Sequence, residues 1–247
     1  NMDIEELGEF GLIERLERIV TNAMPNNPSN SKNAKLLLGI GDDAAAWSLD
    51  KNIELFTTDT MVENIHFSPA TSTWEDVGWK ALAANISDIA AMGGMPLYAA
   101  ITLGLPPSTQ VESMDDLYKG ILECGIKYNT MIIGGDMVSS PITFITIGLT
   151  GIASGAFLSR STAKTGDRIA VTGSLGTSSA GLKMIREKLE VDARDSQAMK
   201  QSHLRPQPRV QEGQILLELG VKTAMDVSDG LIDDLGKLCR ASKKSAI

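Results

Sequence analysis

The sequence predicts an α/β (α+β) fold in two domains, with a mixed sheet flanked by helices, and three observations lead to this fold class. Short apolar and β-branched runs alternate with longer segments whose apolar residues recur at helical spacing. Several of the short runs end at acidic clusters. A polar segment at residues 160–167 separates two halves, so we expect a first domain at residues 1–153 and a second at residues 154–247.

Composition and charge narrow the class of protein. With 247 residues and 43% hydrophobic content, the chain can bury one large core or two ordinary ones. The 23 basic residues are scattered and are outnumbered by 31 acidic ones, so nucleic acid is not an expected partner. No apolar run approaches the length of a membrane span, and the N-terminus lacks the features of a signal peptide. We therefore expect a cytoplasmic protein with no membrane contact.

The first elements are predicted from their periodicity. Leu12, Leu16 and Ile19 recur at helical spacing and predict a helix at residues 7–20. Residues 22–33 are polar and rich in turn formers, which predicts a surface loop. Strands are predicted at 36–40 and 53–58, and both end at acidic clusters. Further strands are predicted at 97–103, 131–133 and 142–150, with a helix at 111–128.

Residues 75–92 form the clearest predicted helix. One face is apolar, with Leu82, Ile86 and Ile89 at helical spacing. The opposite face is alanine with Asn85 and Asp88, whereas a solvated face would carry Lys, Glu and Gln. We expect this face to pack closely against another element and to present Asp88 to it; a surface carboxylate is the alternative.

The second half begins with a predicted strand at 169–172, a loop at 173–179 and a helix at 180–189. The loop is rich in Gly, Ser and Thr, and backbone N–H groups at a helix start can hold an anion. It lacks the lysine of a P-loop and does not match GxGxxG, so a tight turn is an equally good interpretation.

Acidic residues beside glycine or hydroxyl residues are the main functional signal. Each could be an ordinary cap or turn former. Five together favour oxygen ligands for a hard cation, and magnesium with a polyphosphate is the natural hypothesis. The two cysteines lack zinc-site spacing, so zinc is not expected. The clusters are Gly41-Asp42-Asp43, Thr57-Thr58-Asp59, Ser87-Asp88, Gly134-Gly135-Asp136 and Asp226-Val227-Ser228-Asp229-Gly230.

Three basic side chains are candidate partners for a ligand. His66 lies seven residues after Asp59 and can reach a ligand phosphate if the loop folds back. Arg160 can pair with a phosphate, and a solvated linker charge is an equally good interpretation. His203 has no acidic cluster beside it, so we expect it to order its proline-containing loop.

Seven segments together resemble the thiamine-monophosphate kinase family, within the AIR synthetase-like ATP-dependent superfamily. Their order and approximate spacing are kept from about residue 9 to the last residue, and the combination is far more specific than any one segment. The segments are 39–45, 58–59, 64–67, 80–93, 133–136, 203–206 and 225–231.

The resemblance implies a two-domain AIR synthetase-like fold, incomplete in its second domain, and a homodimer joined through first-domain strands. It implies transfer of the ATP γ-phosphate onto thiamine monophosphate, giving thiamine diphosphate, with several Mg²⁺ ions between nucleotide and acceptor. It implies a substrate contact at His66. The implied metal ligands are Asp43, Thr57, Thr58, Asp59, Asp88, Asp136, Asp226 and Asp229, and the implied nucleotide contacts are Tyr118, Gly135, Asp136, Arg160 and Ser228.

This reaction fits the residue types in the chain. A phosphate acceptor is already a nucleophile near neutral pH, so no general base is needed and no catalytic side chain is assigned. The barrier lies in bringing two anions into line, which bound cations lower. Two alternatives stay open: another enzyme of the superfamily, of the selenophosphate synthetase, AIR synthetase or hydrogenase-maturation type, and a non-catalytic module that binds magnesium and nucleotide.

Overall fold

Six strands form one sheet in the computed structural model, which describes residues 4–23, 34–50 and 52–247. The strand order is β1-β2-β3-β6-β4-β5; all neighbours are antiparallel except β4 and β5, which are parallel. The predicted mixed sheet is therefore confirmed. The strands are β1 (Ala34–Leu38), β2 (Ala45–Leu49), β3 (Asn52–Val62), β4 (Met95–Leu105), β5 (Met131–Ser139) and β6 (Phe144–Ala153).

The helices described in the structure flank this sheet or follow it. Those predicted at 7–20, 75–92, 111–128 and 180–189 are confirmed with shifts of a few residues at their ends. Part of the loop predicted at 22–33, from residue 24 onward, lies outside the described residues. The helices are α1 (Ile4–Ala23), α2 (Trp74–Ala91), α3 (Val111–Lys127), α4 (Thr177–Glu187), α5 (Ala193–Leu204), α6 (Val210–Glu218) and α7 (Leu231–Ser242).

The core lies between one face of the sheet and the helices α2 and α3. In β6 every second residue is buried, including Ile145, Ile147 and Leu149, because strand side chains alternate between the two faces. Leu82 and Ile86 of α2 belong to the same buried cluster. The helix begins at the N-cap Thr73, whose hydroxyl oxygen accepts the backbone N–H of Asp76 at 3.1 Å. This packing fixes α2, and with it Asp88, against β3.

The strand predicted at 169–172 is wrong. These residues form no sheet pairing, and Ile169 and Val171 are exposed. A β-branched run becomes a strand only when another strand offers hydrogen bonds, and no strand lies beside it in the described part of the chain. β2 and the helices α5, α6 and α7 were not predicted from the sequence.

The segment that follows α5 joins the second half of the chain to α2. The indole N–H of Trp79 donates to the carbonyl oxygen of Pro206 at 2.8 Å. Arg205 pairs with Glu75, Asp76 and Glu123, which lie on α2 and α3. These contacts hold the second half beside the helix that carries Asp88. None of the described helices combines the length and the apolar character needed to cross a membrane.

Candidate active site

Three carboxylates from separate parts of the chain meet at one point. Asp43 follows β1, Asp88 lies near the end of α2, and Asp226 precedes α7. One carboxylate oxygen from each of the three residues lies within 4.8 Å of those from the other two. The cluster therefore joins the two halves of the chain through acidic groups, an arrangement that needs protons or cations to be stable.

Hydroxyl and amide side chains hold the cluster in place. The Thr57 hydroxyl donates to Asp88 Oδ2 at 2.6 Å, and the Ser87 hydroxyl donates to Asp226 Oδ2 at 2.9 Å. Asn85, buried on α2, accepts the backbone N–H of Asp59 at 3.1 Å. The alanine-rich face of α2 thus packs against β3 and presents Asp88, as the sequence predicts. The sequence assigned no separate role to Asn85 or Ser87, although both lie in the segment that carried the resemblance.

Burial and mutual repulsion raise the pKa of every carboxylate in this region that shows a shift. Burial, followed by the charge of Asp226, raises the pKa of Asp43 to about 7. Burial and the charges of Asp226 and Asp59 raise the pKa of Asp88 to about 8. The pKa values of Asp59 and Asp226 are also raised, mainly by burial. Asp59 is therefore close enough to act on the cluster, although it lies outside the group of three.

These donors fit a magnesium ion. Asp43 Oδ2 is buried and has no hydrogen-bond partner among the described residues. Carboxylates and hydroxyls are the oxygen ligands that a hard cation prefers, and a cation would offset the repulsion among the three acids. The chemistry of the donor set thus agrees with the magnesium predicted from the sequence.

Arg160 lies beside the cluster. Its guanidinium pairs with Asp43, and its Nε is 3.3 Å from Asp42 Oδ1. Asp42 also accepts the Ser159 hydroxyl at 2.7 Å and the backbone N–H of Arg160 at 3.2 Å. Asp42 thereby positions Arg160 at the cluster. Sequence reasoning assigned no role to Asp42, although its place in the Gly41-Asp42-Asp43 cluster was a signal.

His66 lies close enough to Asp59 to affect its pKa. Its Nδ1 accepts the backbone N–H of Val62 at 3.0 Å. A positive charge on this ring would lower the pKa of Asp59, but burial has the larger effect and the pKa of Asp59 is raised. Because Nδ1 accepts, the proton of the neutral ring is on Nε2, where it can be donated to an anion. The loop therefore folds back toward the end of β3.

The remaining predicted site residues lie outside the group of three carboxylates. Thr58 and Thr57 are neighbours in β3, so their side chains lie on opposite faces of the sheet. Tyr118 of α3 is partly buried and packs against the core. Gly135 and Asp136 are exposed on the edge strand β5. Ser228 and Asp229 lie in the turn before α7, and Asp229 pairs with Lys237.

His203 lies at the end of α5, where its Nδ1 is 3.3 Å from the Ser178 hydroxyl. Burial, together with the nearby charges of Lys80 and Arg186, lowers the pKa of His203 to about 4. Ser178 lies in the first turn of α4, which begins at Thr177, so a neutral His203 connects α4 to α5. The predicted loop is therefore shorter than expected, because residues 177–179 belong to α4.

The cluster gives an expected pH dependence for the protein in a metal chelator. The folded state keeps the protons of Asp43 and Asp88 up to about pH 7 and 8, whereas the unfolded chain releases them near 3.8. The folded state binds more protons in this window, so the free energy of unfolding falls as the pH rises from about 4 to about 8. Urea denaturation in EDTA at pH 5 and pH 8 checks this. A free energy of unfolding that rises or stays constant over this range would contradict it.

The chain is similar to known protein families, to curated relatives and to solved structures. The family model "AIR synthase related protein, N-terminal domain" matches residues 41–153, and the model "AIR synthase related protein, C-terminal domain" matches residues 164–247. The thiamine-monophosphate kinase of Escherichia coli (strain K12) is 40% identical over 241 residues, which cover 95% of this chain and 69% of that protein. The thiamine-monophosphate kinase of Bacillus subtilis (strain 168) is 37% identical over 220 residues, covering 87% and 68%.

A solved structure described as AaThiL complexed with AMPPCP and TMP matches with a TM-score of 0.85 at 32% identity, covering 98% of this chain and 73% of that one. Thiamine-monophosphate kinase from Stenotrophomonas maltophilia K279a matches with a TM-score of 0.71 at 32% identity, covering 96% and 72%. Escherichia coli HypE, a hydrogenase maturation protein, shares the fold at 18% identity with a TM-score of 0.60.

Proposed function

The chain belongs to the thiamine-monophosphate kinase family of AIR synthase-related proteins, and on this premise we propose that it transfers the γ-phosphate of ATP to thiamine monophosphate. The chain is a kinase and ATP is its co-substrate. The observation that carries the proposal is the identity to named thiamine-monophosphate kinases over nearly the whole chain. The structural match to a protein described with AMPPCP and TMP supports the two substrates.

The carboxylate cluster is the proposed magnesium site. Asp43, Asp88 and Asp226 would hold the first ion, because their oxygens converge and Asp43 Oδ2 has no other partner among the residues that the structure describes. When bound, magnesium would neutralise phosphate charge and lower the repulsion between donor and acceptor anions. The further ligands proposed from the resemblance are Thr57, Thr58, Asp59, Asp136 and Asp229.

The side chains around the cluster orient the two substrates. His66 can donate its Nε2 proton to a phosphate oxygen of thiamine monophosphate, because Nδ1 is occupied by the Val62 N–H. Arg160 can donate to a nucleotide phosphate from its position beside Asp43. No general base is needed, because the acceptor phosphate is already ionised. Tyr118, Gly135, Asp136 and Ser228 are the other proposed nucleotide contacts.

The alternatives have weaker support. Selenophosphate synthetase and AIR synthetase activities have no specific observation in their favour, and the hydrogenase-maturation structures share only the fold. A non-catalytic binding module would retain affinity for magnesium and nucleotide without releasing ADP.

Product analysis separates these functions. With ATP and magnesium, the protein should form ADP and thiamine diphosphate in equal amounts, and chelation of magnesium should abolish both. Free thiamine should be a poor acceptor, because it has no phosphate to be aligned. ADP release with selenide or aminoimidazole precursors, and none with thiamine monophosphate, would refute the assignment.

The two-domain division at residues 1–153 and 154–247 is a further proposal. The family-model matches at 41–153 and 164–247 support a boundary between them, and the polar linker at 160–167 lies at this point.

A homodimer joined through first-domain strands is also proposed. Phe56 and Tyr98 are 41% and 48% exposed on strands of the central sheet. The edge strand β5 exposes Met131 and Ile133. An exposed apolar edge strand can pair with a strand of a second chain. Light scattering at micromolar concentration should give twice the mass of one chain. A monomer mass would remove the proposal.

A further inference from the structure

A buried carboxylate in α7 holds the turn that carries three proposed ligand residues. Asp234 is 1% exposed and lies at the fourth residue of the helix. Its Oδ2 accepts three successive backbone N–H groups, those of Ser228 at 2.9 Å, Asp229 at 3.0 Å and Gly230 at 3.1 Å. Its Oδ1 accepts from Lys237 Nζ at 2.8 Å.

This pattern fixes the conformation of the turn. Hydrogen bonds to a carboxylate are about twice as strong as neutral ones, and a buried carboxylate would be costly without them. Three N–H groups that converge on one oxygen restrict three consecutive residues at once. Gly230, with a φ of 110°, takes a backbone conformation that other residues rarely adopt. The Asp234 side chain therefore restricts the backbone of the turn at three consecutive residues.

The turn leads directly to the carboxylate cluster. Asp226 lies two residues before Ser228, and its own carboxylate reaches Asp43 and Asp88. The Ser87 hydroxyl is its hydrogen-bond donor on α2. A turn that loosened would change the direction from which Asp226 enters the cluster and the placement of Ser228 and Asp229.

We propose that Asp234 is a positioning residue that sets the 226–230 turn for metal and nucleotide binding. The inference rests on the proposed function, since it concerns the same cluster. Asp234 touches neither metal nor nucleotide in this account; it acts through the backbone of the turn. Residues that orient metal ligands affect metal affinity by about 10- to 100-fold when they are replaced.

The chain offers a matched control on the same helix turn. Asp233 precedes Asp234 in α7 and is exposed. Both carboxylates interact with the helix dipole, so replacing either by asparagine removes one charge from the same helix start. Among the hydrogen bonds described, the backbone N–H groups of the turn donate to Asp234 and not to Asp233. A difference in metal affinity between the two variants therefore results from the turn and not from the interaction of a carboxylate with the helix dipole.

The test titrates Mn²⁺ by electron paramagnetic resonance into the wild-type chain, Asp234→Asn and Asp233→Asn, without nucleotide. We expect Asp234→Asn to weaken Mn²⁺ binding by at least about tenfold and Asp233→Asn to bind as the wild type does. Equal affinity in all three proteins would overturn the inference and leave the proposed metal site intact. A wild-type chain that binds no Mn²⁺ would overturn both.

Hydrogen exchange provides a second measurement that does not depend on the variant folding. In the ligand-free wild type, the amides of Ser228, Asp229 and Gly230 should be protected from exchange, because a buried oxygen holds them. If Asp234→Asn folds, their exchange should become at least about tenfold faster. Exchange of these amides at the unprotected rate in the wild type would overturn the inference without bearing on the kinase activity.

Discussion

Asp88→Asn is expected to reduce magnesium-dependent turnover by at least about 100-fold while leaving the fold intact. Asp88 belongs to the acidic cluster, where one of its oxygens lies within 4.8 Å of oxygens from Asp43 and Asp226. The amide removes the negative charge that a cation requires. It also relieves repulsion in a group whose pKa is raised to about 8, so the free energy of unfolding in EDTA at pH 8 should stay constant or rise.

Asp115→Asn is the matched control for this prediction, because Asp115 is an exposed carboxylate on α3. It should retain wild-type turnover. The measurements are initial rates against magnesium concentration and urea denaturation of both variants. If Asp88→Asn loses stability but its folded fraction keeps full activity, the carboxylate is structural and the proposed role is wrong.

Arg160→Gln is expected to change the two ligand affinities in opposite directions. Loss of a charge-assisted hydrogen bond to phosphate should weaken ATP binding by about 10- to 100-fold. The Arg160 guanidinium also pairs with Asp43, so it competes with a cation for that carboxylate. Removing it should strengthen Mn²⁺ binding without nucleotide by about tenfold, since the cluster becomes more negative.

Calorimetric titration of ATP and of Mn²⁺ into separate samples checks both directions. Arg194→Gln is the control, because Arg194 is an exposed arginine on α5. It should leave both affinities unchanged. If Arg160→Gln weakens ATP binding and Mn²⁺ binding together, Arg160 supports the shape of the site and does not substitute for the cation.

The parts of the fold that the sequence predicted best are those whose residue spacing within the element itself indicates the structure. The helix α2 shows both an apolar face and an alanine face, and the spacing alone placed Asp88 toward a neighbouring element. The structure brings Asp59 and Asp88 together although 29 positions separate them, through the bond from Thr57 to Asp88 and the bond from Asp59 N–H to Asn85. The acidic clusters thus indicated carboxylates that the structure brings together, although Asp59 lies within β3 and not at its end.

What sequence missed depends on partners far away in the chain. Asp42 gains its role from Ser159 and Arg160, which lie 117 and 118 positions later. Asp234 gains its role from the direction of three backbone N–H groups, which no residue pattern encodes. The predicted strand at 169–172 failed for the same reason, because a partner strand decides whether such a run pairs.

The central claim is that Asp43, Asp88 and Asp226 hold magnesium between the two substrates. Anomalous diffraction from crystals grown with Mn²⁺, a non-hydrolysable ATP analogue and thiamine monophosphate tests it most directly. We predict an anomalous peak within coordination distance of oxygens from all three carboxylates, with nucleotide and thiamine phosphates on either side. Manganese bound only elsewhere, with the three carboxylates free of metal while both substrates are in place, would contradict the account.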